Sequence, residues 1–206
     1  MAEIILDFGS GNTCKNDKRI VKQMLEALRD IDKGEHDVVV KWQLFKEAGD
    51  NIPLDYKLFD YAYFYARMLG YPVTASVFDM DSLDCLLNYD VPFVKIANRR
   101  DLDWLVNHVP RRVPVYLSSD DPYYRLNGAR GDRRILACVS KYPAIPEEYE
   151  QQGLFRGCYI SDHTTDFKLW HKYKPEIIEW HYRLEDSNGL DAGPFARTPA
   201  QLEEIL

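Results

Sequence analysis

The sequence predicts an α/β fold, a compact (β/α)8 TIM barrel. The order of its elements predicts the barrel, and the length of the chain predicts that it is compact. Eight apolar, β-prone runs alternate mostly with helical segments, which is the order of elements in a parallel barrel. The chain has 206 residues, fewer than the roughly 250 that are typical of this fold, so we expect shortened helices and loops. A doubly wound open sheet is the alternative fold if one of the weaker strands is misassigned. We expect residues 1–206 to form a single domain.

In the first half of the chain, strand and helix signals alternate regularly. An apolar stripe at helical spacing predicts the helix at 17–29, and Gly70 ends an aromatic-rich helix at 55–69. The predicted strands are 3–8, 38–43, 73–78 and 93–97, and the predicted helices are 17–29, 55–69, 79–87 and 102–106.

The second half gives weaker signals between its strands. Residues 120–132 stand where the alternation requires a helix, but they are polar and turn-prone and do not support one. Residues 166–174 are long enough to cross from one parallel strand to the next. The predicted strands are 113–117, 134–139, 155–160 and 175–182, followed by a final helix at 199–206.

Charge and composition argue against several classes of partner. The net charge of −7 disfavours nucleic acid and anionic membranes, which an acidic surface does not attract. No apolar segment approaches the roughly 20 residues that a membrane span needs. The four cysteines are scattered without a CxxC pair, which is typical of reduced thiols in a cytoplasmic protein. We therefore expect a cytoplasmic protein whose partners are small molecules.

Two neighbouring strand-like runs end in histidines, His163 and His181. In parallel α/β folds, ligands bind beyond the carboxyl ends of the strands, so both imidazoles are expected at that rim. Side chains alternate along a strand, so Ser161 shares the direction of His163, and Glu179 shares that of His181. Two neutral imidazoles can hold a divalent cation and leave positions open for substrate oxygens. The alternative is that each histidine is a hydrogen-bonded structural residue.

Two lysines interrupt apolar strands and are further candidates. Burying the unpaired ammonium of Lys41 or Lys95 would be costly. They either bind an anionic substrate or form buried salt bridges, for instance with Asp7 or Glu179. The Gly-Ser-Gly run at 9–11 lacks the remaining glycine and lysine of the nucleotide-binding motifs, so we predict a tight turn there.

Six short motifs occur in order along the chain. They are Lys41-Trp42-Gln43, Lys95-Ile96, Leu117-Ser118, Tyr142-Pro143, Ser161-Asp162-His163-Thr164 and Glu179-x-His181. With these motifs the chain resembles the barrel domain of the sialic acid synthases, from about Ile4 to Leu206. Those enzymes condense phosphoenolpyruvate with N-acetylmannosamine or a related amino sugar. The family's C-terminal antifreeze-like domain has no counterpart in these residues, so we expect a sugar site without that cover.

The resemblance also implies roles for individual residues. The implied catalytic residues are Asp7, Lys41, Lys95 and Glu179. The implied substrate-binding residues are Gln43, Ser76, Asn98, Ser118, Tyr142 and Ser161, although Tyr142 taken alone is equally consistent with packing. The implied metal ligands are His163 and His181. The implied divalent cation is Mn²⁺, and Mg²⁺ and Co²⁺ are the alternatives.

The sequence departs from the family where the family contacts the sugar. Asp7 replaces a glutamate, and Ser76-Val77 replaces Thr-Pro. Phe195 replaces an aspartate, and Asp191 either does or does not supply the missing carboxylate. The run Ala-Asn-Arg-Arg at 97–100 replaces a Gly-Ser-Gly-Glu-like run. Its two arginines either contact an acidic or phosphorylated acceptor or stay solvated. We infer that the acceptor aldehyde differs from N-acetylmannosamine.

These expectations amount to one leading hypothesis and two alternatives. The leading hypothesis is an enzyme that condenses phosphoenolpyruvate with an aldehyde sugar and releases phosphate. The alternatives are a non-catalytic binding or structural descendant of the barrel, and a phosphoenolpyruvate aldolase that uses a sugar phosphate. A homodimer is the expected assembly, although the family's dimer involves the domain that has no counterpart here.

Overall fold

The computed structural model describes residues 1–46, 49–121 and 131–206. Eight parallel strands close into a barrel, in which each strand pairs with the next and the eighth pairs with the first. This confirms the predicted TIM barrel and excludes the open sheet. The strands are β1 (Glu3–Asp7), β2 (Asp37–Leu44), β3 (Val73–Val77), β4 (Val94–Ile96), β5 (Val115–Ser119), β6 (Arg133–Cys138), β7 (Tyr159–Asp162) and β8 (Ile177–His181).

The helices around the barrel are mostly short, which accounts for the compact size. They are α1 (Gly11–Cys14), α2 (Lys18–Ile31), α3 (Tyr56–Met68), α4 (Met80–Leu86), α5 (Pro146–Glu150), α6 (Lys168–Tyr173) and α7 (Pro199–Leu202), with a 3-10 helix at Arg100–His108. α2 and α3 each begin after an aspartate, Asp17 or Asp55, whose carboxylate accepts a hydrogen bond from the first turn. The apolar stripe of α2 is buried against the barrel, as its spacing predicted.

Side chains fill the barrel interior in layers. Near the amino ends of the strands, Arg134 donates a 2.8 Å hydrogen bond to the Tyr116 hydroxyl. An apolar layer of Ile5, Val39, Phe93, Leu136 and Ile177 lies above it. Outward-facing strand residues pack against the helices and form the main core. The inward-facing residues above the apolar layer are polar. Because the apolar layer closes the barrel beneath them, these polar groups can be reached only from the carboxyl ends of the strands.

Two predicted strands are displaced along the chain by two residues or more at both ends, and the boundaries of the other six differ by at most two residues. Strand seven, predicted at 155–160, begins later as β7, because Phe155 is exposed and Gly157 turns the chain with a φ of +82°. Strand five, predicted at 113–117, continues further as β5, so Ser118 lies within the strand.

Two helical predictions also need correction, and two short helices, α1 and α5, were not predicted. The helix predicted at 102–106 is the longer 3-10 helix, and the final helix ends earlier than 206. α5 begins with Pro146 at the position where proline is best tolerated. Residues 122–130, which belong to the segment without predicted helix, lie outside the described residues.

Two compositional expectations can be compared with the structure. Among the described residues, no helix combines the length and apolar character needed to cross a membrane. All four cysteines are unpaired thiols, as predicted, and Cys14, Cys138 and Cys158 are buried.

Candidate active site

A cavity of about 760 Å³ opens at the carboxyl ends of the strands. This is the end of a TIM barrel at which catalytic groups are placed. Every residue predicted for the site lines it, namely Asp7, Lys41, Gln43, Ser76, Lys95, Asn98, Ser118, Tyr142, Ser161, His163, Glu179 and His181. The alternation of side chains along the strands brings these residues together, as the sequence predicted.

The bottom of the cavity is formed by four buried charged side chains, Asp7, Lys41, Lys95 and Glu179, which we call the ionic floor. The Lys41 ammonium lies 2.7 Å from Asp7 Oδ2 and 3.8 Å from Glu179 Oε2. Lys41 also donates a 2.9 Å hydrogen bond to the Ser76 hydroxyl. The salt-bridge alternative is therefore realised, and the same lysine still faces the cavity.

Glu179 connects the two lysines of the ionic floor. Its Oε1 lies 3.4 Å from the Lys95 ammonium and accepts a 3.0 Å hydrogen bond from the Ser161 hydroxyl. Lys95 donates a further 2.7 Å hydrogen bond to the Ser118 hydroxyl. Glu179 Oε2 is buried and has no hydrogen-bond partner among the described residues.

The two lysines differ in how well their charges are compensated. Burial opposes ionisation of Lys41, but Asp7 and Glu179 outweigh this effect and raise its pKa. For Lys95, burial and the neighbouring Lys41 lower the pKa despite the attraction of Glu179. The Lys95 ammonium is therefore the less compensated cation of the floor, and it is the one that an anionic ligand would stabilise more.

The carboxylates of the floor are held ionised by the same lysines. Burial raises the proton affinity of Asp7, but Lys41 and His181 reverse the effect and hold its pKa well below its ordinary value. Burial acts likewise on Glu179, and Lys41 and Lys95 together lower its pKa. Two ammonium and two carboxylate groups thus lie in contact, as buried charges must to offset the cost of desolvation.

His163 is held as a neutral imidazole above the floor. Burial and the neighbouring His181 lower its pKa to about 3. Its Nδ1 lies 2.7 Å from the Val139 carbonyl oxygen, which can only accept, so Nδ1 carries the proton. The Nε2 lone pair is then available to a ligand, the arrangement usual for metal-binding histidines.

His181 ends β8 beside His163, with their ring centroids 5.5 Å apart. Its Nδ1 is buried without a hydrogen-bond partner among the described residues. That atom lies 3.7 Å from Asp7 Oδ2 and 3.9 Å from Asp191 Oδ1. Such an unpartnered buried nitrogen is costly unless something binds it.

These two histidines fit the divalent cation that the family resemblance implies. Within the described ranges, no group of three or more His, Cys, Asp or Glu side chains is arranged to hold a metal ion. The residues that would hold such a cation are His163, through its neutral imidazole, and His181, through its unpartnered nitrogen, and the other positions would be left to water or substrate oxygens.

Asp191 is a site residue whose role the sequence left open, as a candidate replacement for the aspartate that Phe195 displaces. Gln43 Nε2 donates to both Asp7 Oδ2, at 2.9 Å, and Asp191 Oδ1, at 3.1 Å. Burial, reinforced by the negative charge of Asp7, raises the pKa of Asp191. Its position two residues before the Gly193-Pro194 pair was the available sequence signal, but nothing in that pattern showed which way the side chain points.

The two arginines at 99 and 100 differ in position. Arg99 lines the cavity and forms an ion pair with Asp101. Arg100 does not line it, and its guanidinium lies 3.2 Å from the Ser119 hydroxyl and 3.7 Å from Asp121. Arg100 is thus turned towards β5 and away from the cavity.

No family model and no curated protein matches this chain by sequence. Among solved structures, the chain is similar to N-acetylneuraminic acid (sialic acid) synthetase from Leptospira borgpetersenii serovar Hardjo-bovis in complex with citrate, with a TM-score of 0.74 and 19% identity over 98% of this chain and 80% of that one. It is also similar to a spore coat polysaccharide biosynthesis protein of Bacillus subtilis, with a TM-score of 0.75 and 20% identity over 98% and 65% of the two chains.

A third solved structure extends this comparison. Phospho-2-dehydro-3-deoxyheptonate aldolase from Thermotoga maritima matches with a TM-score of 0.70 and 12% identity over 98% of this chain and 66% of that one. At these identities the similarity establishes the barrel fold. The chain spans between 65% and 80% of the length of the three proteins.

Proposed function

We propose that this chain joins phosphoenolpyruvate to an aldehyde sugar, either N-acetylmannosamine-like or altered, and releases phosphate. The observation that carries the proposal is the ionic floor lying beneath two imidazoles in one cavity. The two buried lysines would bind an anion, and the two imidazoles would bind a cation. Both types of ligand therefore fit one site. The motifs shared with the sialic acid synthases supply the substrate class.

The phosphoenolpyruvate end of the cavity is assigned to β4 and β5. Lys95 is the less compensated lysine, and Ser118 lies 2.7 Å from it on the neighbouring strand. Asn98 and Arg99 follow β4 and line the same cavity. Hydrogen bonds from charged donors are the stronger ones, so Lys95 and Arg99 would hold the phosphate and carboxylate groups.

The aldehyde end is assigned to β8 and β1, which lie across the barrel from β4 and β5. A divalent cation on His163 and His181, Mn²⁺ in the first place, would supply Lewis acidity towards the aldehyde oxygen. Gln43 and Tyr142 line this part of the cavity and would orient the acceptor. Asp7 fixes Gln43 by accepting its hydrogen bond.

The proposed reaction forms one carbon–carbon bond and one carbon–oxygen bond to water, and it breaks the carbon–oxygen bond to phosphate. C3 of phosphoenolpyruvate attacks the aldehyde carbon, whose oxygen takes up a proton and becomes a hydroxyl. Water adds at C2, and the tetrahedral intermediate releases phosphate and leaves a keto group at C2. The two protons of that water balance those taken up by the new hydroxyl and by the departing phosphate. Lys41 and Lys95 would stabilise the negative charge of the anionic substrate as the bonds change. Glu179, which lies between the two lysines, keeps both ammonium groups in place.

The test is calorimetric titration of Mn²⁺-loaded protein with phosphoenolpyruvate. Lys95→Met should weaken binding by on the order of 100-fold, because a buried charge-to-charge contact is removed. Lys22→Met is the matched control, since this exposed lysine on α2 lies away from the cavity and should bind as the parent does.

Two outcomes would count against the proposal. No binding of phosphoenolpyruvate to the parent protein in the presence of Mn²⁺ would favour the non-catalytic binding module. Binding followed by phosphate release only with sugar phosphates would favour the phosphoenolpyruvate aldolase.

A further inference from the structure

One side of the cavity mouth is apolar. It consists of Tyr142, Leu190, Pro194 and Phe195, which we call the apolar wall. The Phe195 ring lies 5.1 Å from the Tyr142 ring and 5.0 Å from the His181 ring, measured between centroids. Leu190 and Tyr142 remain 63% and 55% exposed, so they offer apolar surface to a ligand next to the two imidazoles.

The segment that carries the wall is held at both ends. Arg197 N donates a 2.7 Å hydrogen bond to the His181 carbonyl, and Arg183 N donates a 3.0 Å bond to the Arg197 carbonyl. A Cβ atom at Gly193 would lie 2.5 Å from Phe195 Cε1, so the ring occupies space that only glycine leaves open. The position of Phe195 is therefore built into this segment and does not depend on a ligand.

The groups nearest this wall disfavour an anionic acceptor. Asp7 and Asp191 flank His181 at 3.7 Å and 3.9 Å, and both carboxylates accept from the Gln43 amide. Among the described residues that line the cavity, the cations are Lys41, Lys95 and Arg99. Lys41 forms an ion pair with Asp7. Lys95 lies on β4 and Arg99 follows that strand, which is across the barrel from β8. A phosphate at the β8 side would face carboxylates and aromatic rings.

We infer that the acceptor is an uncharged aldehyde with an apolar substituent that packs against Leu190 and Tyr142, the exposed members of the wall, and that Phe195, only 3% exposed, holds the Tyr142 ring in place for this contact. The inference rests on the proposed function and names its acceptor class. Hydroxyl groups of such an acceptor would meet Gln43 and Asp191, while its apolar group would displace water from the wall. A phosphorylated aldehyde would bind poorly at the same position.

The test measures phosphate release with saturating phosphoenolpyruvate and a series of acceptors. The series comprises N-acetyl-, N-propanoyl- and N-butanoylmannosamine, together with N-acetylmannosamine 6-phosphate. In the parent protein, kcat/KM should rise about fourfold for each added methylene, the factor expected for burying one such group. The phosphate ester should react at least about tenfold more slowly than its unphosphorylated counterpart, as like-charge contacts predict.

Three variants assign the effect to the wall. Phe195→Leu keeps this buried position apolar but removes the ring that contacts Tyr142, so it should reduce the rise along the series. Leu190→Ser tests the same wall at an exposed position, where misfolding is not a concern, and should also flatten the series. Phe64→Asp, at an exposed phenylalanine on α3 away from the cavity, is the control and should leave the series unchanged.

The outcomes separate the inference from the proposed function. If phosphoenolpyruvate does not bind, the proposed function fails. Three results would overturn the inference although phosphoenolpyruvate binds: a kcat/KM that is flat along the acyl series, a preference for the phosphate ester, or no phosphate release with any member of the series. In each case the anion site stands.

Discussion

The ionic floor and the apolar wall line the same cavity, but they are built from different parts of the chain. Floor residues lie on strands and are almost completely buried, with Lys41 and Lys95 only 1% and 2% exposed. Wall residues lie on loops, and three of the four are exposed, Leu190 by 63%, while Phe195 is buried. A change in the floor therefore disturbs the packed barrel, whereas a change in the wall alters mainly what the cavity can bind. Under the proposed function, this division would let acceptor choice change while the anion site is kept.

The largest expected effect is on the floor. Lys41→Met should lower the free energy of unfolding by about 3–5 kcal/mol, because it leaves the buried Asp7 carboxylate without its ammonium partner and Glu179 with Lys95 alone. Urea-induced unfolding measures the loss. Adding Asp7→Asn to Lys41→Met should restore part of it, since one uncompensated charge is removed.

Lys46→Met is the matched control for that experiment. This exposed lysine pairs with Asp81 at the surface, and its loss should cost at most about 1 kcal/mol. A loss below about 1 kcal/mol for Lys41→Met as well would mean that the floor is solvated, and the contrast with the wall would disappear.

A smaller effect should appear in alkaline solution, where Cys138 reports whether water reaches the floor. Burial raises the pKa of this cavity-lining thiol to about 12. The unfolded thiol ionises near about 8.5, so above that pH the unfolded state binds fewer protons and stability falls until about pH 12. The expected loss for the parent is about 1–2 kcal/mol between pH 8.5 and 10.

Urea unfolding at both pH values, compared between the parent and Cys138→Ala, isolates this contribution. The variant should lose less stability than the parent over the interval. Cys85→Ala is the control, since that thiol is only partly buried and should change the slope less. Equal slopes for the parent and Cys138→Ala would show that the thiol is already accessible to water.

The smallest expected effect on stability is on the wall. Leu190→Ala should change the free energy of unfolding by about 0.5 kcal/mol or less, because the side chain is exposed. Leu136→Ala, the same substitution in the buried apolar layer of the barrel, should cost about 2–5 kcal/mol. Urea unfolding of the two variants side by side gives the comparison directly, and similar losses would show that Leu190 is packed in solution.

Strand-borne site residues could be predicted from the sequence because a strand has a fixed period. Once Lys41 was placed on a strand that ends at the rim, Gln43 had to face the same way two residues later. The same rule placed Ser161 beneath His163 and Glu179 beneath His181. The boundaries were less secure, because Phe155 fits the β-prone pattern of strand seven yet lies before a glycine turn.

Loop-borne residues could not be placed in this way. Asp191 and Phe195 lie in a segment with no regular period, so the sequence does not show where their side chains point. Their positions depend on contacts with distant parts of the chain, such as the Gln43 to Asp191 hydrogen bond across 148 residues. The pairing of Lys41 with Asp7 in preference to a free ligand-binding ammonium was likewise open until both strands were in place.

The sequence by itself favoured the barrel over an open sheet, and it indicated the rim at which the polar strand ends meet and the residues that form the floor. These follow from the alternation of elements and from the period of two along each strand, both of which are local properties. Only the tertiary structure decided which charges compensate one another, that Asp191 joins the site, and that Phe195 closes one side of it. Those features depend on distances between residues far apart in the chain, which no local pattern contains.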